Sequence, residues 1–260
     1  MLEVIDKGAV SPSHPAPLLF VHGAWHAAWC WDEHFLDFFA AKGYRSVALS
    51  LRGHGASASD KPLRRLSFAD YLEDIASVAG ELPTPPVLIG HSMGGFLVQK
   101  HLESHPAPAG VLMASMPPSG YWASGLRWLR RHPWHFAKVS LTGRSLPYVG
   151  TPDLARERFF SPGTPEPVVR RYAARLQEES ARSGIDGLRD LPRPELITTE
   201  LLVLGALDDG AVTQDEVRAT GRAYKTEPQF ISGMGHNMML EPGWEIAAKC
   251  IDQWLELRGL

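Results

Sequence analysis

Leu88-Ile89-Gly90-His91-Ser92-Met93-Gly94-Gly95 is a short apolar run that stops abruptly at a serine held between Gly90 and Gly94. Glycines two before and two after a serine remove the side chains that would clash where a strand turns very sharply into a helix. Both halves of that turn are written in the sequence. Pro86-Val87-Leu88-Ile89 reads as a buried strand, and Phe96, Leu97, Gln99, Lys100 and Leu102 continue as a helix. The five-residue G-x-S-x-G pattern is common in isolation, so its surroundings have to support a special role for Ser92.

With 260 residues and 44% hydrophobic content, the chain has enough material for one large domain, or for a core domain carrying an insertion. A net charge of −3 gives no reason to expect a nucleic-acid partner, since such domains are normally basic. The charged opening Met1-Leu2-Glu3-Val4-Ile5-Asp6-Lys7 does not read as a secretory signal, and no run approaches a membrane span. The expectation is a soluble, cytoplasmic protein with no integral membrane association. Cys30 and Cys250 are the only cysteines. They argue against a disulfide framework, and without paired Cys or His spacing no metal or other cofactor is expected.

Strand-like runs alternate with helix-like segments along the chain, the pattern of an α/β protein on a mostly parallel sheet flanked by helices. Strands are expected at 17–21, 44–50, 86–89, 110–114, 201–205 and 228–231. Trp31, Phe35, Phe38 and Phe39 recur at helical spacing before Gly43, and Tyr71, Ile75, Val78 and Ala79 do so after Ser67. A last helix is expected over about 244–257, with Ile246, Cys250, Trp254 and Leu257 forming its core stripe.

The alternation breaks between the strand ending near Ala114 and the next at Leu201, a gap far longer than an ordinary connection. This stretch is rich in aromatic residues, among them Trp122, Trp128, Trp134, Phe136, Tyr148, Phe159 and Phe160, and Val169, Tyr172, Ala173 and Leu176 mark an amphipathic helix. It reads as a mainly helical cap, residues 122–194, inserted between late strands of a core made of 1–121 and 195–260. A packing insertion that never meets substrate is the alternative. Residues 122–194 carry 13 Lys plus Arg against 7 Asp plus Glu, so the insertion is basic and the core acidic. Arg127, Arg130, Arg131, Lys138 and Arg144, interleaved with tryptophans, fit either a solvated face or weak contact with an anionic substrate or lipid surface.

Two further loops extend the pattern around Ser92. Ala206-Leu207-Asp208-Asp209-Gly210 follows the strand at 201–205, and Ser232-Gly233-Met234-Gly235-His236-Asn237 follows the strand at 228–231. A serine, then an acid, then a histidine, each after a later strand, is the chain order of one known arrangement. Taken together the chain resembles the α/β-hydrolase superfamily, in particular its serine esterases and lysophospholipase-like members. Phe20-Val21-His22-Gly23-Ala24-Trp25 resembles that family's H-G-x loop, and Leu51-Arg52-Gly53-His54-Gly55 its R-G-H-G turn. Many relatives have an aspartate where this chain has Ser50, a departure that concerns local loop structure.

The resemblance implies acyl transfer through a covalent serine intermediate, with Ser92 as nucleophile and His236 as base. Asp208 and Asp209 compete as the acid that orients the imidazole. Relatives with a similar Leu-Gly-Ala opening place it four residues after that glycine, which favours Asp209, while another common spacing of three residues would select Asp208. The implied oxyanion donors are the backbone N–H groups of Ala24 and Met93. Trp25 is a candidate wall of the acyl pocket or a core tryptophan. His22 and His91 are read as structural, while His26, His132 and His135 are candidates to line the pocket. The expected activity is hydrolysis of a small to medium hydrophobic carboxylic ester. Cofactor-free lyases, thioesterases and carbon–carbon bond hydrolases share the triad, and some non-catalytic receptors share the fold.

Overall fold

The computed structural model describes residues 1–260. In chain order the elements are β1 (Val4–Lys7), β2 (Leu18–Val21), α1 (Trp29–Asp32), α2 (Phe35–Ala41), β3 (Ser46–Leu49), α3 (Phe68–Glu81), β4 (Val87–His91), α4 (Met93–Leu102) and β5 (Gly110–Met113). There follow α5 (Trp122–Arg131), α6 (Pro133–Thr142), α7 (Pro152–Phe159), α8 (Glu166–Ala173) and α9 (Ala181–Arg189), before β6 (Leu201–Ala206), α10 (Gln214–Tyr224), β7 (Gln229–Ile231) and α11 (Trp244–Glu256). The strands form one sheet in the order β1-β3-β2-β4-β5-β6-β7, parallel throughout except for β1, which runs antiparallel to β3. The six strands expected from sequence are all present. β1 was not among them, because Val4-Ile5-Asp6-Lys7 is a half-exposed edge carrying two charges rather than a buried apolar run.

Alternation along the central strands supplies both faces of the sheet. In β2, Leu18 and Phe20 point into a core with Trp31, Phe35 and Phe39, while Leu19 and Val21 point into one with Phe68, Tyr71, Ile75 and Phe96. The helix expected after Ser67 begins there, capped reciprocally by the Ser67 and Asp70 side chains. The core stripe expected on the last helix holds at Trp254, which is buried, and at Cys250, which packs half-buried against the core, but not at Ile246 and Leu257, which are 56% and 84% exposed. The rest of the buried face is Ala247, Ala248, Ile251 and Leu255. The two alanines sit in the core cluster, where α11 packs against α2.

Helices α5–α9 all lie between β5 and β6. Of the 13 basic side chains in 122–194, nine form ion pairs, with Arg127 on Glu216, Arg171 and Arg175 on Glu33, and Arg193 on Glu103 reaching outside the segment. The segment's positive charge is thus largely matched within the protein. No helix is long and apolar enough to cross a membrane.

The sharp turn after β4 depends on two close approaches. A Cβ on Gly90 would lie 2.5 Å from the Gly94 carbonyl oxygen, and one on Gly94 would overlap the carbonyl oxygens of Val21 and His22. Bare backbone at these positions lets α4 start directly against the end of β2. Gly94→Ala is therefore expected to lower unfolding free energy by about 2–3 kcal/mol. In a urea titration of both variants, Gly163→Ala, where an added Cβ meets nothing within 4 Å, should stay within about 0.5 kcal/mol of wild type.

Candidate active site

Ser92 links β4 to α4 with φ 54° and ψ −116°, a left-handed backbone that costs a non-glycine residue on the order of 1–3 kcal/mol. Its neighbours hold it there. Ser92 N–H donates to the Met113 carbonyl (3.1 Å), and Met116 N–H donates to the Ser92 carbonyl (3.2 Å). The Gln99 amide in turn donates to Ser115 Oγ (2.8 Å) and the Met116 carbonyl (2.9 Å).

The two acidic candidates separate cleanly. Asp209 Oδ2 accepts from His236 Nδ1 at 2.8 Å, and its Oδ1 accepts the Ala211 and Val212 N–H groups at 2.7 and 2.8 Å. Both side chains of the pair are 1% exposed. Asp208 is exposed, and only its backbone is engaged, donating to the Met234 carbonyl. The Asp208 carboxylate makes no hydrogen bond and lies exposed in the loop after β6. His236 makes its ring hydrogen bond to Asp209 and none to Ser92 Oγ, a contact that commonly tightens only when substrate binds.

The H-G-x loop is shaped by neutral histidines. Leu51 N–H donates to His22 Nε2 (3.0 Å), which leaves the proton on Nδ1 to donate to the Gly23 carbonyl (2.8 Å). His26 donates from Nδ1 to the Ala24 carbonyl (2.8 Å) and faces the Asn237 amide (3.1 Å) with Nε2. The N–H groups of Ala24 and Met93 have no acceptor in the protein, the latter as the first N–H of α4. An added Cβ on Gly23 would lie 3.0 Å from the Ser92 Cβ, so this loop and the serine are in close contact. His91, in the variable position of the elbow, donates from Nε2 to the His236 carbonyl (3.0 Å) and so reaches the histidine loop.

Burial pushes His22 down to about 3 and His26 to about 4, and it lowers His91 well below the usual imidazole range. These groups take up protons more readily unfolded than folded, so stability declines as pH falls through 6.5 toward 4. Holding one buried imidazole neutral across roughly 2 pH units costs about 3 kcal/mol. The urea midpoint should drop markedly between pH 7 and pH 4.5; a flat midpoint over that range would contradict the neutral assignment.

The R-G-H-G turn ties the core to the inserted segment. His54 donates from Nε2 to Glu179 Oε2 (3.0 Å) and faces the Arg52 carbonyl with Nδ1 (3.3 Å). Burial alone would lower His54, but the Glu179 carboxylate outweighs it and the net shift is upward. Burial likewise opposes ionisation of Glu179, yet His54, Tyr71 and the Ser180 N–H hold its pKa below the ordinary value. Ser50, the departure from the family turn, accepts the Ala28 N–H (2.9 Å) and donates to Glu3, a local structural role.

Three other contacts join the insertion to the histidine loop, and no motif announces them. Asn237 N–H donates to the Phe159 carbonyl (2.8 Å), and the Phe159 ring stacks on His236 with centroids 5.9 Å apart. Buried Glu241 accepts from Ser161 Oγ (2.7 Å), Thr164 Oγ1 (2.7 Å) and Gly235 N–H (2.9 Å).

Above Ser92 lies a cavity of about 470 Å³, lined from the core by Ala24, Trp25, Ser92 and Met93, and from the insertion chiefly by Trp128, Phe136, Tyr148, Arg158, Ile185 and Leu188. Trp25 is thus a wall, fixed by a bond from Nε1 to Ser145 Oγ (3.2 Å). His26, His132 and His135 do not line it; the latter two bond to Glu157 and the Pro147 carbonyl. No group of three or more His, Cys, Asp or Glu side chains is placed to hold a metal ion.

A parallel sheet with this elbow and this order of acid and histidine loops defines an α/β hydrolase. The chain belongs to the α/β hydrolase family, whose model matches residues 18–248. It is 35% identical over 103 residues to protein phosphatase methylesterase 1 of Homo sapiens, a match covering 38% of this chain and 26% of that protein. It is also 35% identical over 113 residues to a non-heme chloroperoxidase of Burkholderia pyrrocinia, covering 41% of this chain and 40% of the other. The matched stretches thus span well under half of either relative. Among solved structures, an esterase from Exiguobacterium antarcticum shares the fold with a TM-score of 0.77 at 19% identity, covering 98% of this chain and 95% of its own.

Proposed function

We propose that the protein is a serine hydrolase that cleaves a small to medium hydrophobic carboxylic ester through an acyl-enzyme. The observation that carries this reading is the buried 2.8 Å contact between Asp209 and His236, in a site whose cavity also exposes Ser92 on its strained turn. His236 Nε2 takes the proton of Ser92 Oγ as that oxygen attacks the ester carbonyl carbon. Negative charge gathers on the carbonyl oxygen, where the free N–H groups of Ala24 and Met93 receive it. As the carbonyl re-forms, the ester C–O bond breaks and His236 returns the proton to the leaving alcohol. Water, deprotonated by the same imidazole, then attacks the acyl-serine; the acid departs and Ser92 recovers its proton. Asp209 holds the ring with its proton on Nδ1 and stabilises the imidazolium in both halves.

Residues 122–194 act in this reading as a cap whose aromatic side chains form most of the acyl pocket. The mainly apolar lining suits a hydrophobic acyl group, and the methylesterases among the relatives support ester cleavage. A panel of p-nitrophenyl esters of graded chain length tests it. Turnover with an optimum at short to medium chains is expected, with a pre-steady-state burst where deacylation is slow; absence of ester turnover across the panel would overturn the reading.

A further inference from the structure

Among the basic residues of 122–194, Arg158 has unusual surroundings. It is the penultimate residue of α7, and its guanidinium carbon lies 4.9 Å from the Trp128 ring centroid and 5.2 Å from that of Trp25. No carboxylate comes within ion-pair reach of it. Arg130, Lys138 and Arg189 also lack one, but they are exposed and solvated by water. Arg158 Nε is instead fully buried and has no hydrogen-bond acceptor. A guanidinium donor left unpaired away from water is costly, because the protein replaces none of the hydration it has lost.

Only two charged side chains line the cavity that contains Ser92, Arg158 and Glu179. Glu179 is committed to His54, Tyr71 and the Ser180 N–H. The Asp209 carboxylate is likewise taken up by His236 and two backbone N–H groups. Burial brings Arg158 down to about 10, with Asp209 and Tyr148 opposing the shift, so it stays protonated at neutral pH. One unneutralised positive charge therefore faces an otherwise mostly apolar chamber. The two indoles hold the planar fork by its surroundings, a setting suited to a planar oxyanion.

Resting on the hydrolase reading above, we propose that Arg158 is an anion subsite of the substrate cavity, and that the preferred ester carries a carboxylate which pairs with its guanidinium. The carboxylate belongs either to the acyl half, as in a monoester of a dicarboxylic acid, or to the leaving alcohol. A purely electrostatic role for Arg158, supporting the Asp209 carboxylate, would affect charged and neutral esters alike and is distinguishable on that ground.

The test compares each anionic ester with its neutral isosteric amide. The pairs are monomethyl adipate against its half-amide for the acyl side, and 4-butyryloxybenzoate against 4-butyryloxybenzamide for the alcohol side. In one pair the wild type should favour the anion by about tenfold or more in kcat/KM, the size of a charge-assisted hydrogen bond. Arg158→Gln should lower that ratio at least tenfold and Arg158→Lys by less, and a ratio does not depend on how much variant is folded. A wild-type ratio near one in both pairs, or a ratio unchanged in Arg158→Gln, overturns the subsite. Calorimetry on Ser92→Ala with monomethyl adipate and 4-butyryloxybenzoate reads binding without turnover. Binding that Arg158→Gln abolishes supports the subsite even if hydrolysis itself fails, and binding of neither ester overturns it.

Discussion

Replacing Ser92 with alanine is expected to lower kcat on any ester substrate by about 10⁴- to 10⁶-fold while leaving the fold and the urea midpoint close to wild type. The loss is large because the other groups act through the serine. Without Oγ, His236 has no proton to accept at the start of the reaction, and the N–H groups of Ala24 and Met93 can assist only direct attack by water. Ser92 is half-buried at the cavity floor rather than packed in the core, so removing its hydroxyl leaves no large void. Alanine must still adopt φ 54°, which keeps the backbone strain roughly unchanged.

Asp209→Asn is expected to lower kcat by about 10⁴-fold, and Asp208→Asn by less than about threefold. An asparagine at 209 presents an amide N–H or a neutral oxygen to His236 Nδ1, so the ring no longer keeps its proton there and the imidazolium loses its counter-charge. The same substitution also weakens acceptance of the Ala211 and Val212 N–H groups, which shape the acid loop. Asp208 is exposed with a free carboxylate, so its amide changes only surface charge. Steady-state kinetics of the two variants side by side decide the matter. Equal losses, or the larger loss at 208, would reassign the acid.

The elbow, the acid loop and the histidine loop are legible in sequence because each is a contiguous chain signal. Gly90 and Gly94 mark close backbone approach, and the apolar runs before Asp208 and Ser232 mark strands that must end there. Family spacing favours Asp209 without excluding Asp208, and the contact with His236 lies at Asp209. What escaped depends on contacts between distant segments. The bond from Asn237 to Phe159 and the shared anchoring of Ser161 and Gly235 on Glu241 join chain positions some 80 residues apart, and nothing local encodes them. Arg158 looked like one of many basic residues in the insertion; only its placement between Trp25 and Trp128 sets it apart. On the last helix hydrophobic periodicity weights large side chains, so it finds Trp254 but passes over Ala247 and Ala248, which are fully buried. β1 escaped because edge strands bury little and carry charge.

In the proposed mechanism everything turns on Ser92 being an activated nucleophile. A fluorophosphonate, which reacts with serines of raised nucleophilicity, tests it directly when intact mass and peptide mapping are read together. One adduct per chain is expected, located on the peptide containing Ser92, forming rapidly in the wild type, far more slowly in Asp209→Asn and not at all in Ser92→Ala. Labelling at another serine, or undiminished labelling of Ser92→Ala, would contradict it.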